Sequence, residues 1–317
     1  MLIVAVFFMF IIGLCIGSFL NVVVLRSLSG ESIAFPASKC PKCQTALLWW
    51  HNIPIISYII LKGKCAFCKE PISIQYPILE LITGIIFVLV GLRFGVSVTT
   101  LFALPAASVL LVIAGTDIRE KVVFDRHTYI LAAIGLLYAA ILTVSVPFHG
   151  FNKVFLLNNP LTSSLLGVIL GIIVMEAAAR LGFPVAGTRA FGVGDTYIAA
   201  GLGAMFGWLT LIKILALSLI IQVIFTLPVF MRKLIQNEDW KTLISLSVFF
   251  LYVIGFLAAQ NAGLNIAVYT ACVIVLAAIG LYTCKQILTG LKEKQDELMY
   301  LPFGPAMVIA ALIIMLL

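Results

Sequence analysis

Charged residues are scarce in this sequence: they make up 10% of its 317 residues, whereas soluble domains usually carry about a quarter. Only 13 residues are acidic, and 63% are hydrophobic. This composition excludes an ordinary soluble domain. Apolar runs of about 20 residues recur along the chain and match the thickness of a bilayer's hydrocarbon core. Because the runs lack the alternation of barrel strands, we predict an all-α, polytopic transmembrane helix bundle.

The apolar runs predict about ten helices. Their ranges are 2–25, 76–95, 98–116, 127–147, 161–180, 195–208, 210–231, 243–261, 264–286 and 301–317. The first run lacks a basic start and a cleavage site, so we expect a retained helix rather than a cleaved signal peptide. The run 195–208 is short for a span and should break from the next helix near Gly207 and Trp208.

The basic residues divide unevenly between the connections. With the N-terminus outside, all of them lie on the cytoplasmic side except Arg93, Lys153 and Lys213. The positive-inside rule favours this orientation and makes the long loop 26–75 cytoplasmic. Because topology accounts for the net charge of +7, we expect no nucleic-acid partner.

Two CxxC pairs lie in this loop: Cys40 with Cys43, and Cys65 with Cys68. Each pair can hold one side of a tetrahedral metal, and four thiolates suit Zn²⁺. Disulfides are the alternative, but they do not persist in a reducing compartment. We therefore predict a structural zinc site with four cysteine ligands. His51 lies between the pairs and is expected at the surface, because four cysteines already fill the shell.

Two aspartates stand at predicted helix ends. Asp117 follows an apolar run, and Asp195 opens a helix after Gly192 and Gly194. Ionisable groups at membrane depth are usually functional. The alternative for Asp195 is simple helix capping. The topology brings both aspartates to the same side of the membrane, where we predict that they form the dyad of an aspartyl protease.

Such a dyad can activate water without a metal. One carboxylate keeps a proton while the other is ionised, because two like charges a few ångströms apart cannot both form cheaply. The ionised member activates a water, and the protonated member polarises the scissile carbonyl. Asp125 competes for a role or caps the next helix, and Glu80 is expected to snorkel or to pair with a basic residue.

The order of these motifs resembles the type IV prepilin peptidases, the leader peptidase/N-methyltransferases of type IV pilus and type II secretion systems. The matching stretches are 17–23 with Arg26, both CxxC pairs, 52–54, 61–65, Tyr76-Pro77 with Glu80, Thr116-Asp117, 192–195, 203–208 and 302–305. The resemblance covers nearly the whole chain. Together, the order and spacing of these stretches are far more specific than any one of them.

The resemblance implies a two-step enzyme in the bacterial cytoplasmic (inner) membrane. It would cleave prepilins or pseudopilins after a glycine at the cytoplasmic face, with Asp117 and Asp195 as the catalytic pair. It would then methylate the new N-terminal amine with S-adenosylmethionine. Gly63 matches a glycine linked to methyl transfer. The sequence contains no GxGxxG motif that would independently indicate a methyltransferase.

Three features depart from the family pattern. Val123-Phe124 replace a usual Leu-Pro, and Thr196-Tyr197 stand where x-Lys is common. Members usually have about eight helices, so 232–295 is interpreted as an inserted helical pair.

The sequence predicts five regions. They are a first transmembrane helix (1–25), the zinc-binding and methyltransferase-associated loop (26–75), the transmembrane protease core (76–231), the inserted helical pair (232–295) and a final transmembrane helix (296–317).

Three alternatives remain open at this point. The chain could be a protease without methyltransferase activity, with the cysteine loop as a docking or folding module. It could be a transporter in which Asp117 and Asp195 relay protons or cations. It could also be a noncatalytic zinc-bearing assembly protein. The substrates and the lipid bilayer are the only partners that the sequence predicts.

Overall fold

A computed structural model describes residues 2–145, 159–180, 191–236, 238–245, 247–248 and 302–317, together with residues 251, 275, 279 and 282. The described residues are helical apart from loops and two isolated β-bridges. Six helices among them are long and apolar enough to cross a membrane. The prediction of an all-α, multi-pass membrane protein is therefore confirmed.

Nine α-helices have described bounds, and residues 240–245 are also helical. The nine helices are α1 (Leu2–Ser29), α2 (Ile56–Ile60), α3 (Gln75–Phe94), α4 (Val98–Glu120), α5 (Asp125–Ser145), α6 (Pro160–Arg180), α7 (Val193–Phe206), α8 (Trp208–Gln236) and α9 (Gly304–Leu316). A 3-10 turn at Trp49–Asn52 precedes α2. All except α2 lie close to predicted helices, and the expected break between α7 and α8 falls at Gly207, where φ is +75°.

Several helix ends differ from the prediction. Helix α4 continues four residues past 116, so Asp117 lies within its last turn rather than after it. Helix α7 begins at Val193 rather than at 195. The cysteine loop also contains α2, which its short apolar run did not predict as a helix. The predicted helices 243–261 and 264–286 lie largely outside the described residues, so the inserted pair stays a prediction.

The described residues divide into two compact units. The first contains 2–145, 159–177, 191–219 and 302–317, and the remaining described residues belong to the second. All the residues considered as functional sites belong to the first unit. Its core lies between α4, α5, α7 and α9 and is made of fully buried apolar side chains: Leu110, Ile113, Leu131, Ile198, Leu202 and Met307.

Helix α7 is fixed in this core by close backbone contact with α6. Gly167 of α6 and Gly203 of α7 face each other, and a Cβ on either glycine would overlap the other's carbonyl group. Small residues at such crossings let backbones approach within van der Waals distance, which drives helix association in membranes. This contact holds in place the helix whose first turn carries Asp195.

Helices α1 and α3 form the other main pair of the first unit, and α4 packs against both. The start of α3 and the end of α4 lie at the same end of the bundle, because Arg119 donates a hydrogen bond to the side chain of Gln75 (2.7 Å). Asn21 of α1 donates to the carbonyl of Tyr76 at this same end (3.1 Å). The cysteine loop, which runs from α1 to α3, therefore emerges at the end that carries Asp117.

Candidate active site and metal centre

Asp117 occupies the last turn of α4 with its side chain turned into the bundle. Its carbonyl accepts a hydrogen bond from the N–H of Lys121 (2.9 Å), whose left-handed backbone ends the helix. Only 4% of Asp117 is exposed. Its Oδ2 is buried and has no hydrogen-bond partner among the described residues. A buried carboxylate oxygen without a partner is costly, so it marks a position where a water or a substrate group can bind.

Asp195 is the third residue of α7 and is also buried. Its Oδ2 accepts a hydrogen bond from the N–H of Gly192, which precedes the helix (3.1 Å). This is the reaching-back half of a capping box, and it satisfies one N–H group that helix geometry leaves free. The alternative that Asp195 caps the helix is therefore correct for its Oδ2 atom. It leaves the other carboxylate oxygen for further contacts.

The side chain of Asp117 and the first turns of α7 meet at Gly304, whose Cβ position lies against both Oδ2 of Asp117 and Ile198, three residues after Asp195. The two aspartates come from helices that are far apart in sequence but meet at one end of the bundle. A pair of buried carboxylates can share a proton, so that one acts as an acid and the other as a base. The structure thus places Asp117 and Asp195 at one end of the bundle, and their action as a dyad stays a prediction.

Gly304, the first residue of α9, closes one side of this pair. A Cβ at Gly304 would overlap Oδ2 of Asp117 and lie 3.1 Å from the side chain of Ile198. The rings of Phe303 and Phe191 pack beside it, with centroids 5.0 Å apart. The sequence indicated Gly304 only as part of a motif. The stretch Pro302-Phe303-Gly304-Pro305 was the signal in the sequence. The contact of Gly304 with Asp117 could not be predicted without the tertiary fold.

Gly194 and Gly192 serve different purposes. A Cβ at Gly194 would lie 2.6 Å from Cβ of Val123, so this glycine lets the start of α7 approach the connection between α4 and α5. Gly192 has φ of −68°, which any residue adopts, and the atom nearest to its Cβ position is Oδ2 of Asp195, at an ordinary contact distance of 3.7 Å. Its contribution is the N–H group that binds Asp195.

The remaining residues predicted around the dyad lie nearer the surface. Asp125 is exposed at the first position of α5, and its supporting role stays a prediction. Phe124 contacts the ring of His127 and carries the guanidinium of Arg126 over its face, 5.1 Å from the centroid. Tyr197 of α7, which stands where the family commonly has lysine, packs edge-on against Tyr129 of α5. Tyr197 therefore has an aromatic contact where the family commonly has a charge, and Phe124 has aromatic and cation–π contacts where the family has proline.

The four cysteines of the loop converge on one point. Their sulfur atoms all lie within 4.8 Å of one another, and those of Cys40 and Cys68 are 3.9 Å apart. Tetrahedral zinc with Zn–S bonds of about 2.3 Å requires sulfurs about 3.8 Å apart. The donor set and its spacing therefore fit a Zn²⁺ ion held by Cys40, Cys43, Cys65 and Cys68.

The two CxxC turns are structural copies, although the sequence shows no internal repeat. In each, the N–H of the first cysteine bonds to the carbonyl five residues later: Cys40 to Thr45 (3.0 Å), and Cys65 to Glu70 (2.8 Å). The fourth residue after the first cysteine has a positive φ in each turn, and its N–H donates to the carbonyl of that cysteine. This residue is Gln44 in the turn of Cys40 and Lys69 in the turn of Cys65. The matched turns present their sulfurs to the same centre.

The hydrogen bonds of the turns favour ionised sulfur at two positions. Thr45 donates from its side chain and backbone to Cys43 and lowers the pKa of this thiol to about 6. Backbone N–H groups of Cys68 and Phe67 lower the pKa of Cys65. The N–H of Glu70 acts in the same direction on Cys68, but desolvation and the neighbouring cysteines outweigh it and raise its pKa to about 11. Four thiolates this close need a cation, which a divalent metal supplies.

Two polar residues differ from their expected environments. His51, predicted at the surface, is only 8% exposed and lies between the rings of Trp50 and Phe67. Its Nδ1 accepts a hydrogen bond from the N–H of Leu48, which closes the 3-10 turn. Glu80 neither snorkels nor pairs with a described basic residue. It is buried and accepts a hydrogen bond from the N–H of Ile55 (2.8 Å).

Comparisons with known proteins match both halves of this architecture. Residues 11–94 match the family described as the bacterial peptidase A24 N-terminal domain, and residues 104–227 match the type IV leader peptidase family. A prepilin leader peptidase/N-methyltransferase of Klebsiella pneumoniae is 34% identical over 217 residues, covering 67% of this chain and 89% of its own length. The chain belongs to the type IV leader peptidase family. The prediction of a membrane peptidase with an associated methyltransferase function is therefore confirmed at the level of the family.

Two further relatives carry the same name. The protein of Neisseria gonorrhoeae is 33% identical, with 62% of this chain and 72% of the relative covered. That of Myxococcus xanthus is 34% identical and covers 66% of this chain, but the match spans only 58% of the relative. No solved structure matches the chain.

The cysteine cluster predicts one zinc ion for each chain. Replacing Cys40 or Cys65 with serine should abolish this stoichiometry, because each change removes a ligand from one of the two turns. Cys15→Ser is the matched control, since Cys15 is an exposed residue of α1. Mass spectrometry of metal in the purified protein measures the effect. Full zinc content in both loop variants would contradict the assignment.

Proposed function

We propose that this protein cleaves the leader peptide of type IV prepilins or pseudopilins after a glycine, at the cytoplasmic face of the bacterial inner membrane, and N-methylates the new first residue. The observation that carries the proposal is the pair of buried carboxylates, Asp117 and Asp195, at the end of a membrane bundle. The relatives' shared name supplies the substrate class and the second reaction.

The geometry supports a water-based reaction at this pair. The N–H of Gly192 engages one oxygen of Asp195, which fixes the orientation of that carboxylate. The ionised member of the pair takes a proton from a water as it attacks the scissile carbonyl. The protonated member donates a hydrogen bond to the carbonyl oxygen, and a proton then passes to the leaving amine. This geometry is compatible with either aspartate in either role.

The proposed orientation has the N-terminus outside and both sites in the cytoplasm. The basic residues of the cysteine loop and of the α4–α5 connection support it through the positive-inside rule. A prepilin's hydrophobic helix would lie beside the bundle, with its basic leader in the cytoplasm. Its cleavage point would then reach the depth of the last turn of α4.

Methyl transfer is assigned to the same end of the bundle. S-adenosylmethionine would supply the methyl group, and the zinc ion would hold the two CxxC turns together without taking part in the transfer. Because the cysteine loop emerges beside the end of α4, the amine released by cleavage would have only a short distance to travel. The structure assigns no described residue to binding the donor.

Asp117→Asn and Asp195→Asn should each abolish processing of a prepilin. Each change removes a group that must carry or accept a proton, and such groups contribute about 10²- to 10⁴-fold to rate. Asp239→Asn is the control, because Asp239 caps a helix start through Thr242, a role that asparagine retains. The measurement is the rate of leader removal by purified protein. Normal processing by either active-site variant would refute the dyad and require other catalytic residues.

The two glycines before Asp195 should respond differently to alanine. Gly194→Ala places a methyl group against Val123 and should displace the start of α7. The rate of leader cleavage should then fall at least tenfold, which corresponds to an activation free energy higher by about 1.4 kcal/mol. Gly192→Ala keeps the N–H that binds Asp195 and meets no close neighbour. It should therefore retain most of the activity. Equal effects of the two changes would show that the close approach to Val123 is unimportant.

Gly63→Ala should separate the two reactions. Gly63 has φ of +68°, and a Cβ there would lie 3.0 Å from the hydroxyl of Tyr58. We expect methyl transfer from S-adenosylmethionine to fall several-fold while cleavage is retained. Gly30→Ala is the matched control, because its φ is similar but nothing lies within 4 Å of its Cβ position. Normal cleavage without any methyl transfer by the unmodified protein would establish the protease-only alternative.

A further inference from the structure

Helix α2 presents an apolar face that no described residue covers. Ile56, Ile59 and Ile60 are 55%, 67% and 67% exposed. Their spacing places the three side chains on one side of the helical turn, and we call them the isoleucine face. Trp49, in the preceding 3-10 turn, is 80% exposed. An apolar patch of this kind on a short loop segment indicates an interaction surface.

The position of α2 along the membrane normal is set by one hydrogen bond. Glu80 accepts from the N–H of Ile55, the residue that immediately precedes α2. Glu80 lies five residues into α3, which is about 7.5 Å along the helix axis from its start at Gln75. The interfacial layer on each side of a bilayer is about 5–8 Å thick. With Gln75 at the outer edge of the interfacial layer, the start of α2 lies where headgroups meet hydrocarbon, rather than out in water.

The neighbouring surface of α3 faces lipid at this same depth. Ile78, Leu81 and Ile82 are exposed, and they belong to a candidate membrane span. The bilayer therefore covers part of α3 at the level where Glu80 holds the start of α2. Both ends of the loop continue into membrane helices, so α2 cannot move far from the bilayer.

The charges around α2 complement an anionic lipid surface. Lys62, Lys64 and Lys69 follow the helix and are all exposed, and Glu70 is the only acidic residue near them in sequence. Juxtamembrane lysines are attracted to anionic headgroups, and tryptophan is enriched at the membrane interface. The isoleucine face, Trp49 and the three lysines are therefore typical of a helix that lies in the membrane interface.

We propose that the isoleucine face and Trp49 insert into the interfacial layer of the bilayer, with the adjacent lysines on anionic phospholipid headgroups. The cysteine loop then lies on the membrane surface instead of projecting from it. The partner is lipid, and the proposal depends on the membrane-spanning fold but not on peptidase activity. Its test therefore uses position in the bilayer, so it can fail without affecting the proposed reaction.

The test uses the full chain in nanodiscs that contain phosphatidylglycerol. Trp50, Trp208 and Trp240 are replaced with phenylalanine, which leaves Trp49 as the only tryptophan. Lipids brominated near the headgroup should quench Trp49 fluorescence more strongly than lipids brominated near the bilayer centre. Ile59→Ser with Ile60→Ser should reduce this quenching at least twofold. Val96→Ser, at the fully exposed connection beyond the far end of α3, should leave it unchanged.

Unchanged zinc content would show that the loop still folds in these variants. Hydroxyl-radical labelling of the unmodified chain in nanodiscs gives a second measurement that needs no substitution. Residues 56–60 should label no faster than the lipid-facing Leu81 and Ile82. Several-fold faster labelling, or efficient quenching of Trp49 by a water-soluble quencher, would overturn the proposal. Protection that develops only with more than one chain per nanodisc, or only with added prepilin, would overturn it in favour of a protein partner.

Discussion

A carboxylate in hydrocarbon is costly unless it is paired or hydrogen-bonded, and this constraint determines where the active-site end of the bundle can be. Asp117 lies one turn from the end of α4, and Asp195 lies in the first turn of α7. Both positions are buried in protein yet near the aqueous boundary. The N-terminal end of α7 also favours negative charge, through its free N–H groups and its dipole. Either aspartate placed several turns deeper would lie far from the aqueous boundary. For Asp195, the favourable effect of the helix N-terminus would also be lost.

Close backbone approach is what allows this arrangement. The end of α4 and the starts of α7 and α9 converge at the two aspartates, although they come from distant parts of the chain. Gly304 admits α9 beside Asp117, and Gly194 admits the α4–α5 connection beside α7. A larger side chain at Gly304 would overlap Oδ2 of Asp117, and one at Gly194 would overlap Val123. The glycines therefore shape the site without taking part in its chemistry.

Much of this organisation follows from the sequence, and the part that does not has a physical reason. Apolar runs of span length predicted α1 and α3 to α8, since burial in a bilayer dominates every local preference. The CxxC spacing predicted the converging sulfurs. The role of Gly304 depends on a contact across nearly two hundred residues, which no local pattern encodes. His51 and Glu80 were misjudged because a polar residue's hydrogen-bond partner, here a backbone N–H from a loop, is a property of the tertiary fold.

The hydrogen bond between Arg119 and Gln75 links the two matched parts of the chain. The N-terminal match ends within α3 and the peptidase match begins within α4. Glu80 holds the cysteine loop against α3, and Gln75 at the start of α3 binds Arg119, two residues after Asp117. A short chain of contacts therefore runs from the metal-binding loop to the carboxylates. Glu80 and Gln75 both lie in the first two turns of α3, so these contacts place the start of α2 and the last turn of α4 at the same end of the bundle.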